Sequence, residues 1–143
     1  MLQNVKIKKI LISEDNISKY KKIANVINEF DPEIEITHKN NVEDTLSELM
    51  TESKYDFLFQ DIQLPEKSND QNVNVRGGLL VAQYIRDNNI ELPYSFFSSN
   101  DVPFVRSIAA NAGLNDVKSI EFDSFSMKWK NSVLNLLNST VTL

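Results

Sequence analysis

Short apolar runs alternate with amphipathic segments along the chain. Nearly continuous apolar runs predict strands at residues 8–13, 55–60 and 94–98. Residues 33–38 alternate between polar and apolar, as in a strand with one covered face, and a weaker strand is predicted at about 116–121. Each predicted strand is followed by a segment with apolar residues at helical spacing, so five strands and five helices are expected.

The predicted helices differ in how clearly they are delimited. Asp15 or Asn16 is a suitable cap for the first helix, and Asp123 or Ser124 for the last. Gly113 is a suitable stop for the fourth helix, which is predicted at residues 102–112. The inward-facing stripes of the first, second and last helices are predicted to be Ile17, Tyr20, Ala24, Ile27 and Phe30; Val42, Leu46, Leu49 and Met50; and Phe125, Trp129, Val133, Leu136 and Leu137.

Alternating strands and helices predict an α/β fold with a doubly wound parallel sheet. The half-polar second and fifth strands suit the edges of the sheet, and the three apolar strands suit its centre. This arrangement matches the strand order 2-1-3-4-5, with a switch point between the first and third strands. The whole chain of 143 residues is expected to form one domain, residues 1–143, with a core of about 8–137.

Composition excludes several kinds of site. The chain has no cysteine and one histidine, which excludes disulfides and makes a zinc site improbable. A formal net charge of −5 disfavours sequence-independent binding of nucleic acid. No apolar stretch is long enough to span a membrane or serve as a signal peptide, so we expect a cytoplasmic protein that does not bind membranes.

Three predicted strands end in residues that suit a metal and phosphoryl site. Glu14 and Asp15 follow the first apolar run, Asp61 follows the third, and Ser98 closes the fourth. Ligands of open parallel sheets bind at the carboxyl ends of the strands, so these side chains are expected to meet. Clustered carboxylates repel one another unless a cation intervenes, and Mg²⁺ prefers such oxygen ligands. Asp61 is the candidate nucleophile, because an aspartate can form an acyl phosphate.

These segments resemble the receiver domain of response regulators, which has a flavodoxin-like fold. The resemblance covers about residues 8–137. It is carried by the first strand with its acidic pair, by the segment around Asp61 with a proline four residues later, by the start of the third helix, and by the fourth strand with its hydroxyl. The matching stretches are residues 10–16, 57–65, 78–80 with 85–86 at the end of the same helix, and 93–99, with Ala112-Gly113 at the family's spacing after Ser98.

The resemblance implies phosphorelay signalling rather than turnover of a separate substrate. Asp61 would accept a phosphoryl group from a histidine kinase or phosphotransfer protein, and Ser98 would be the switch hydroxyl. Glu14, Asp15, Asp61 and the backbone carbonyl of Gln63 would hold Mg²⁺. An unknown downstream protein would read the signal. Receivers of this family often pair through the last helix, which makes a homodimer one candidate assembly.

Two family residues are replaced. Ile120 and Glu121 stand where the family has a lysine followed by proline, and Val117 stands at the aromatic switch position. Lys118, or alternatively Lys67 or Arg76 from the long polar segment between residues 66 and 76, is the candidate replacement for the missing charge. Such a long loop is either functional or disordered.

Three other functions are alternatives for a chain with this pattern. A receiver-like interaction module that does not signal through phosphate would bind partners through the fourth helix, fifth strand and last helix. A partly exposed Trp129 would contribute to that face, although core packing of Trp129 is the favoured interpretation. A flavodoxin-like cofactor protein is disfavoured, because Glu14 and Asp15 would repel a phosphate. A phosphatase of the haloacid-dehalogenase type is disfavoured as well, because Gln63 stands where the second aspartate is required.

Overall fold

A computed structural model describes residues 7–51, 54–68 and 76–141, in which strands and helices alternate. The five strands are β1 (Lys9–Ser13), β2 (Glu35–Lys39), β3 (Phe57–Gln60), β4 (Tyr94–Ser98) and β5 (Ser119–Glu121). The five helices are α1 (Ile17–Phe30), α2 (Val42–Leu49), α3 (Gly77–Asp87), α4 (Val102–Asn111) and α5 (Lys128–Val141).

All neighbouring strands are parallel, in the order β2-β1-β3-β4-β5. The predicted doubly wound architecture and strand order are therefore confirmed. β3 is buried along its whole length between β1 and β4, whereas β2 lies at one edge with partly exposed residues. The apolar runs form the centre because strands covered on both faces can bury every side chain.

Helices cover both faces of the sheet. On one face, side chains of α1 and α5 pack against Phe57, Phe59 and Phe97. On the other face, α2, α3 and α4 cover Leu11, Leu58 and other strand residues in two adjoining clusters. Alternate side chains of each central strand thus point to opposite layers, as the period of two requires. This packing fixes the carboxyl ends of β1, β3 and β4 side by side.

The predicted helical stripes are partly wrong. Ile17 is exposed because Lys19 takes the inward position in the first turn of α1, ahead of Ile23 and Ile27. Met50 is exposed because α2 ends at Leu49, before the predicted end of that helix. Both errors lie at helix ends, where the apolar stripe no longer decides which side chain faces the core.

The start of the last helix is also corrected. Phe125 was predicted to begin its inward stripe, yet it is 98% exposed, and α5 starts only at Lys128. The side chain of Asp123 accepts a hydrogen bond from Phe125 N, and Ser126 Oγ accepts one from Lys128 N. Such local side-chain bonds stabilise a turn in place of the first helical residues. Trp129, in contrast, is 3% exposed and packs against Phe97.

Candidate functional site

A cavity of about 310 Å³ lies at the carboxyl ends of β1, β3 and β4. Its walls come from the segments that follow these strands and from the first turn of α1. The described lining residues are Glu14, Asp15, Asn16, Lys19, Asp61, Gln63, Ser98, Ser99 and Asn100. The structure therefore brings together five of the six residues that the sequence marked as candidates: both acids after β1, Asp61, Gln63 and Ser98.

Backbone hydrogen bonds hold the acids in place. Asp61 N donates to Ser13 O over 2.9 Å, and Glu14 N donates to Lys39 O over 2.9 Å. These bonds extend the ladders of the sheet by one residue past the strand ends. As a result, the acids leave the sheet at defined positions rather than on loose loops.

Gly78, at the start of α3, packs directly against the backbone that carries Asp61. A methyl group on Gly78 would lie 1.9 Å from Asp61 O, which is far inside van der Waals contact. Gly78 N also donates a 2.8 Å hydrogen bond to Ile62 O. The absence of a side chain at residue 78 therefore allows α3 to support the segment from which Asp61 projects.

Oxygen atoms of Glu14, Asp15 and Asp61 all lie within 4.8 Å of one another. Glu14 and Asp61 are buried, and Asp15 is partly exposed. Three carboxylates this close form a hard, oxygen-only donor set of the kind that Mg²⁺ accepts through a few carboxylates and several waters. The donor chemistry of the cluster thus fits a magnesium ion.

The buried ammonium of Lys19 lies among these carboxylates. Its Nζ is 3.0 Å from Glu14 Oε1 and 3.2 Å from Asp61 Oδ1, and its side chain is 8% exposed. The rings of Phe97 and Phe122 lie next to the ammonium, with their centroids 5.3 and 5.8 Å from Nζ. Asp61 Oδ1 also accepts a 2.8 Å hydrogen bond from Ile62 N. One acceptor oxygen of Asp61 is therefore held by a cation and by a backbone amide.

Burial shifts the titration of the acids. The pKa of Glu14 is raised from 4.5 to about 9, first by burial and then by the charge of Asp61, with Lys19 acting in the opposite direction. The pKa of Asp15 is also raised, by burial and by Asp61. These shifts have the direction expected for carboxylates that share a site without a divalent cation.

Ser98 is buried at the end of β4. Its Oγ accepts hydrogen bonds from Asn100 N at 3.1 Å and from Asn100 Nδ2 at 3.2 Å. Because both bonds use the oxygen as an acceptor, the hydroxyl proton can be donated toward an oxyanion in the cavity. Gln63 also lines the cavity and is exposed.

Lys118, the candidate replacement for the family's lysine, is not among the described residues that line this cavity. Lys118 is exposed and lines a different cavity with Ser95 and Arg106. Lys67 and Arg76 are also not among the described lining residues, and residues 69–75 of the long loop lie outside the described part of the chain. The position of Lys118, just before β5, places it toward the end of the strand remote from the cavity.

The residues at the positions where receiver domains have a lysine, a proline and an aromatic side chain are apolar or exposed. Ile120 is buried against the α1 and α5 layer, and Val117 is buried under α4. Glu121 pairs with Ser98 in the ladder and is exposed. Phe122, one residue further, packs against Phe97 and Trp129 and borders the Lys19 ammonium.

Lys19 was missed by reasoning from the sequence. One feature of the sequence could have indicated its burial. Lys19 lies four residues before Ile23, on the face of α1 that also buries Ile27. A lysine in line with an apolar stripe either extends to solvent or meets a buried acid. The second outcome follows here because the stripe leads toward Glu14 and Asp61.

A buried polar network beneath the acids was also missed. Gln60 Nε2 donates to Ser13 Oγ and to Asp61 O, both at 2.9 Å. Ser13 Oγ lies 2.8 Å from Thr45 Oγ1, which donates to Asn41 O. The network joins β1, β3 and α2 directly under the cavity and so restrains the backbone of Asp61.

Comparisons with known proteins identify the fold. No protein-family model and no curated protein matches the chain. Among solved structures, it is similar to the BeF3-activated N-terminal receiver domain of Klebsiella pneumoniae RstA, with 19% identity, a TM-score of 0.66, and coverage of 94% of this chain and 98% of that one. It is also similar to the receiver domain of the Francisella response regulator 1452, with 20% identity, a TM-score of 0.63, and coverage of 94% and 96%.

A third similar structure is the phosphorylated cyanobacterial phytochrome response regulator RcpA, with 16% identity, a TM-score of 0.65, and coverage of 93% of this chain and 90% of that one. The predicted resemblance to receiver domains is therefore confirmed at the level of the fold. Among the described residues, no helix has the length and apolar character needed to cross a membrane.

Proposed function

We propose that this protein is a phosphoryl-accepting receiver domain in which Asp61 is the acceptor. The observation that carries the proposal is the position of Asp61: it projects into one cavity together with two further carboxylates, a buried hydroxyl and a buried ammonium. A site for phosphoryl transfer needs mainly correct positioning and charge compensation, and these groups provide both.

The proposed reaction forms an acyl phosphate. A carboxylate oxygen of Asp61 bonds to the phosphorus of the donor while the bond between phosphorus and the leaving group breaks, and the leaving group keeps the electron pair. Ser98 Oγ donates a hydrogen bond to an oxygen of the transferred group. Lys19 balances part of the new negative charge, in the role first expected of Lys118.

Glu14, Asp15 and Asp61, with the backbone carbonyl of Gln63, are the proposed ligands of Mg²⁺. The bound ion would offset negative charge on the transferring group. The proposed donors are a histidine kinase or a phosphotransfer protein. The protein would modify itself and would not turn over a separate substrate.

Intact mass after incubation with acetyl phosphate and Mg²⁺ tests phosphoryl acceptance. Wild type is expected to gain the mass of one phosphoryl group, and Asp61→Asn to gain none. The matched control is Asp56→Asn, a substitution at an acid near the opposite end of β3, where Asp56 Oδ2 accepts hydrogen bonds from Lys8 N and Lys9 N. Equal labelling of wild type and Asp61→Asn would refute the proposal.

A second candidate function is an interaction module that does not signal through phosphate. It is favoured by the Lys19–Asp61 ion pair, which compensates the acceptor charge in the absence of phosphate, and by the apolar Ile120. Trp129 is buried, as the favoured interpretation of core packing predicted, so it does not contribute to the partner surface of this module. Amide NMR shifts distinguish the two functions: changes that reach α4, β5 and α5 on phosphorylation support signalling, and changes confined to the cavity support the module.

A further inference from the structure

We infer that Lys19 is a built-in cation that competes with the divalent metal for Glu14 and Asp61, and so sets how much Mg²⁺ the site requires. This inference rests on the proposed metal site and concerns its regulation. The ammonium of Lys19 has one carboxylate oxygen of Glu14 and one of Asp61 within 3.2 Å.

Lys19 is held both at its backbone and at the end of its side chain. At its base, Lys19 N donates a 3.0 Å hydrogen bond to Asn16 Oδ1, which caps α1. At its tip, the ammonium lies against the Phe97 and Phe122 rings, where cation–π attraction favours its charge. A lysine restrained in this way is part of the site in the metal-free protein and is not a surface side chain that happens to reach it.

Charge and distance make the two cations competitors. An ion that is bound at about 2.1 Å from Asp61 Oδ1 or Glu14 Oε1 would lie no more than about 5 Å from the ammonium. At that distance, inside a largely buried site, two positive charges repel each other much more strongly than they would in water. Mg²⁺ must therefore displace the ammonium or bind at a cost, and either effect lowers its affinity.

The same geometry keeps the metal-free cavity assembled. Without a cation, Asp61 would be buried beside Glu14 with no charge to compensate its own. With Lys19 between them, the carboxylates stay at the positions that a metal would use. The carboxylates are thus expected to keep their positions with and without Mg²⁺, and the metal to be needed mainly for its extra charge.

Calorimetric titration of the full chain with MgCl₂, without a phosphoryl donor, tests the inference. Lys19→Met is expected to bind Mg²⁺ roughly tenfold or more tightly than wild type, because the competing charge is gone. Lys19→Arg, which keeps the charge, is expected to bind as wild type does. Lys22→Met removes the same charge from an exposed position on α1 and is expected to change the affinity by less than about twofold.

An unchanged or weaker affinity in Lys19→Met would overturn the competition. This titration contains no phosphoryl donor, so that outcome would not bear on phosphoryl acceptance by Asp61. The intact-mass measurement tests phosphoryl acceptance separately. If Lys19→Met does not fold, Lys19→Gln replaces it, and NMR of the wild-type lysine side chains gives a second test. Saturating Mg²⁺ is expected to shift the Lys19 Hε and Nζ signals and not those of Lys22; no shift at Lys19 would also overturn the inference.

Discussion

Lys19 Nζ lies 3.2 Å from Asp61 Oδ1, and each of the two side chains is 8% exposed. This contact joins the first turn of α1 to the end of β3 across the cavity. It gives the candidate phosphoryl acceptor a positive partner from a helix, whereas the sequence had pointed to β5. The contact therefore has consequences for both stability and ion binding.

Removing the Lys19 charge should destabilise the metal-free protein. Lys19→Met leaves Glu14 and Asp61 without their buried cation, and losing one partner of a buried ion pair typically costs about 3–5 kcal/mol. We expect a loss near the lower end of that range, because the raised pKa of Glu14 lets that acid stay protonated. Urea denaturation in the presence of a chelator measures the loss, with Lys22→Met as the control that should change stability by less than about 1 kcal/mol.

Stability of the metal-free protein should fall as the pH rises from about 5 to about 9. The pKa of Glu14 is raised to about 9, so the native state keeps a proton that the unfolded chain releases above its ordinary value of 4.5. The stabilisation is thus complete below pH 4.5 and is lost as the pH passes through the native value. One extra proton bound by the native state makes the free energy of unfolding fall by up to about 1.4 kcal/mol per pH unit.

Denaturation midpoints across this pH range, in a chelator, measure the slope. Glu14→Gln should reduce it, and the remainder should reflect Asp15, whose raised pKa acts with the same sign. A wild-type stability that rises with pH over this range would contradict the assignment of Glu14 as a buried acid with a raised pKa.

Gly78→Ala should disturb the backbone of Asp61. Helix propensity alone would make the substitution favourable by about 1 kcal/mol. The new methyl group would instead lie 1.9 Å from Asp61 O, so α3 or the Asp61 segment must move. We expect a net loss of at least about 2 kcal/mol and weaker Mg²⁺ binding. Leu80→Ala, at an exposed site on the same helix, is the control; equal stability of Gly78→Ala and wild type would show that the close contact is wrong.

Truncation of Trp129 should destabilise the protein strongly, whereas truncation of Phe125 should have almost no effect. Trp129→Ala removes a buried ring that packs against Phe97 and Phe122 and should cost about 3–5 kcal/mol. Phe125→Ala removes an exposed ring and should change the free energy of unfolding by less than about 0.5 kcal/mol. Chemical denaturation of the two variants compares them directly, and a larger loss in Phe125→Ala would contradict the corrected start of α5.

The strands and the acids were predictable because their signals are local. An apolar run such as Phe57-Leu58-Phe59 needs only burial on both faces to become a central strand, and the acid that follows it then lies at the carboxyl edge. The order of the strands followed from which of them were polar enough for an edge. The sequence alone therefore predicts that Glu14, Asp15, Asp61 and Ser98 lie together.

Lys19 and Phe125 were not predictable in the same way. A helical pattern treats lysine as a solvent-facing residue, and the burial of Lys19 depends on acids from β1 and β3 and on rings from β4 and the residue after β5. Phe125 has the spacing of an inward residue, yet the turn that Asp123 and Ser126 form delays the helix. In both cases, interactions between elements or with side-chain oxygens determine whether the side chain is buried. The periodicity of apolar residues gives no information about such interactions.

Identification of the modified residue tests the central claim most directly. Borohydride reduction after treatment with acetyl phosphate and Mg²⁺ converts a phosphorylated aspartate to homoserine, which peptide mass spectrometry can locate in the chain. The account predicts homoserine at position 61, with Glu14 and Asp15 unchanged. Phosphorylated protein with its modification at any other residue, or wild type that takes up no phosphoryl group, would contradict it.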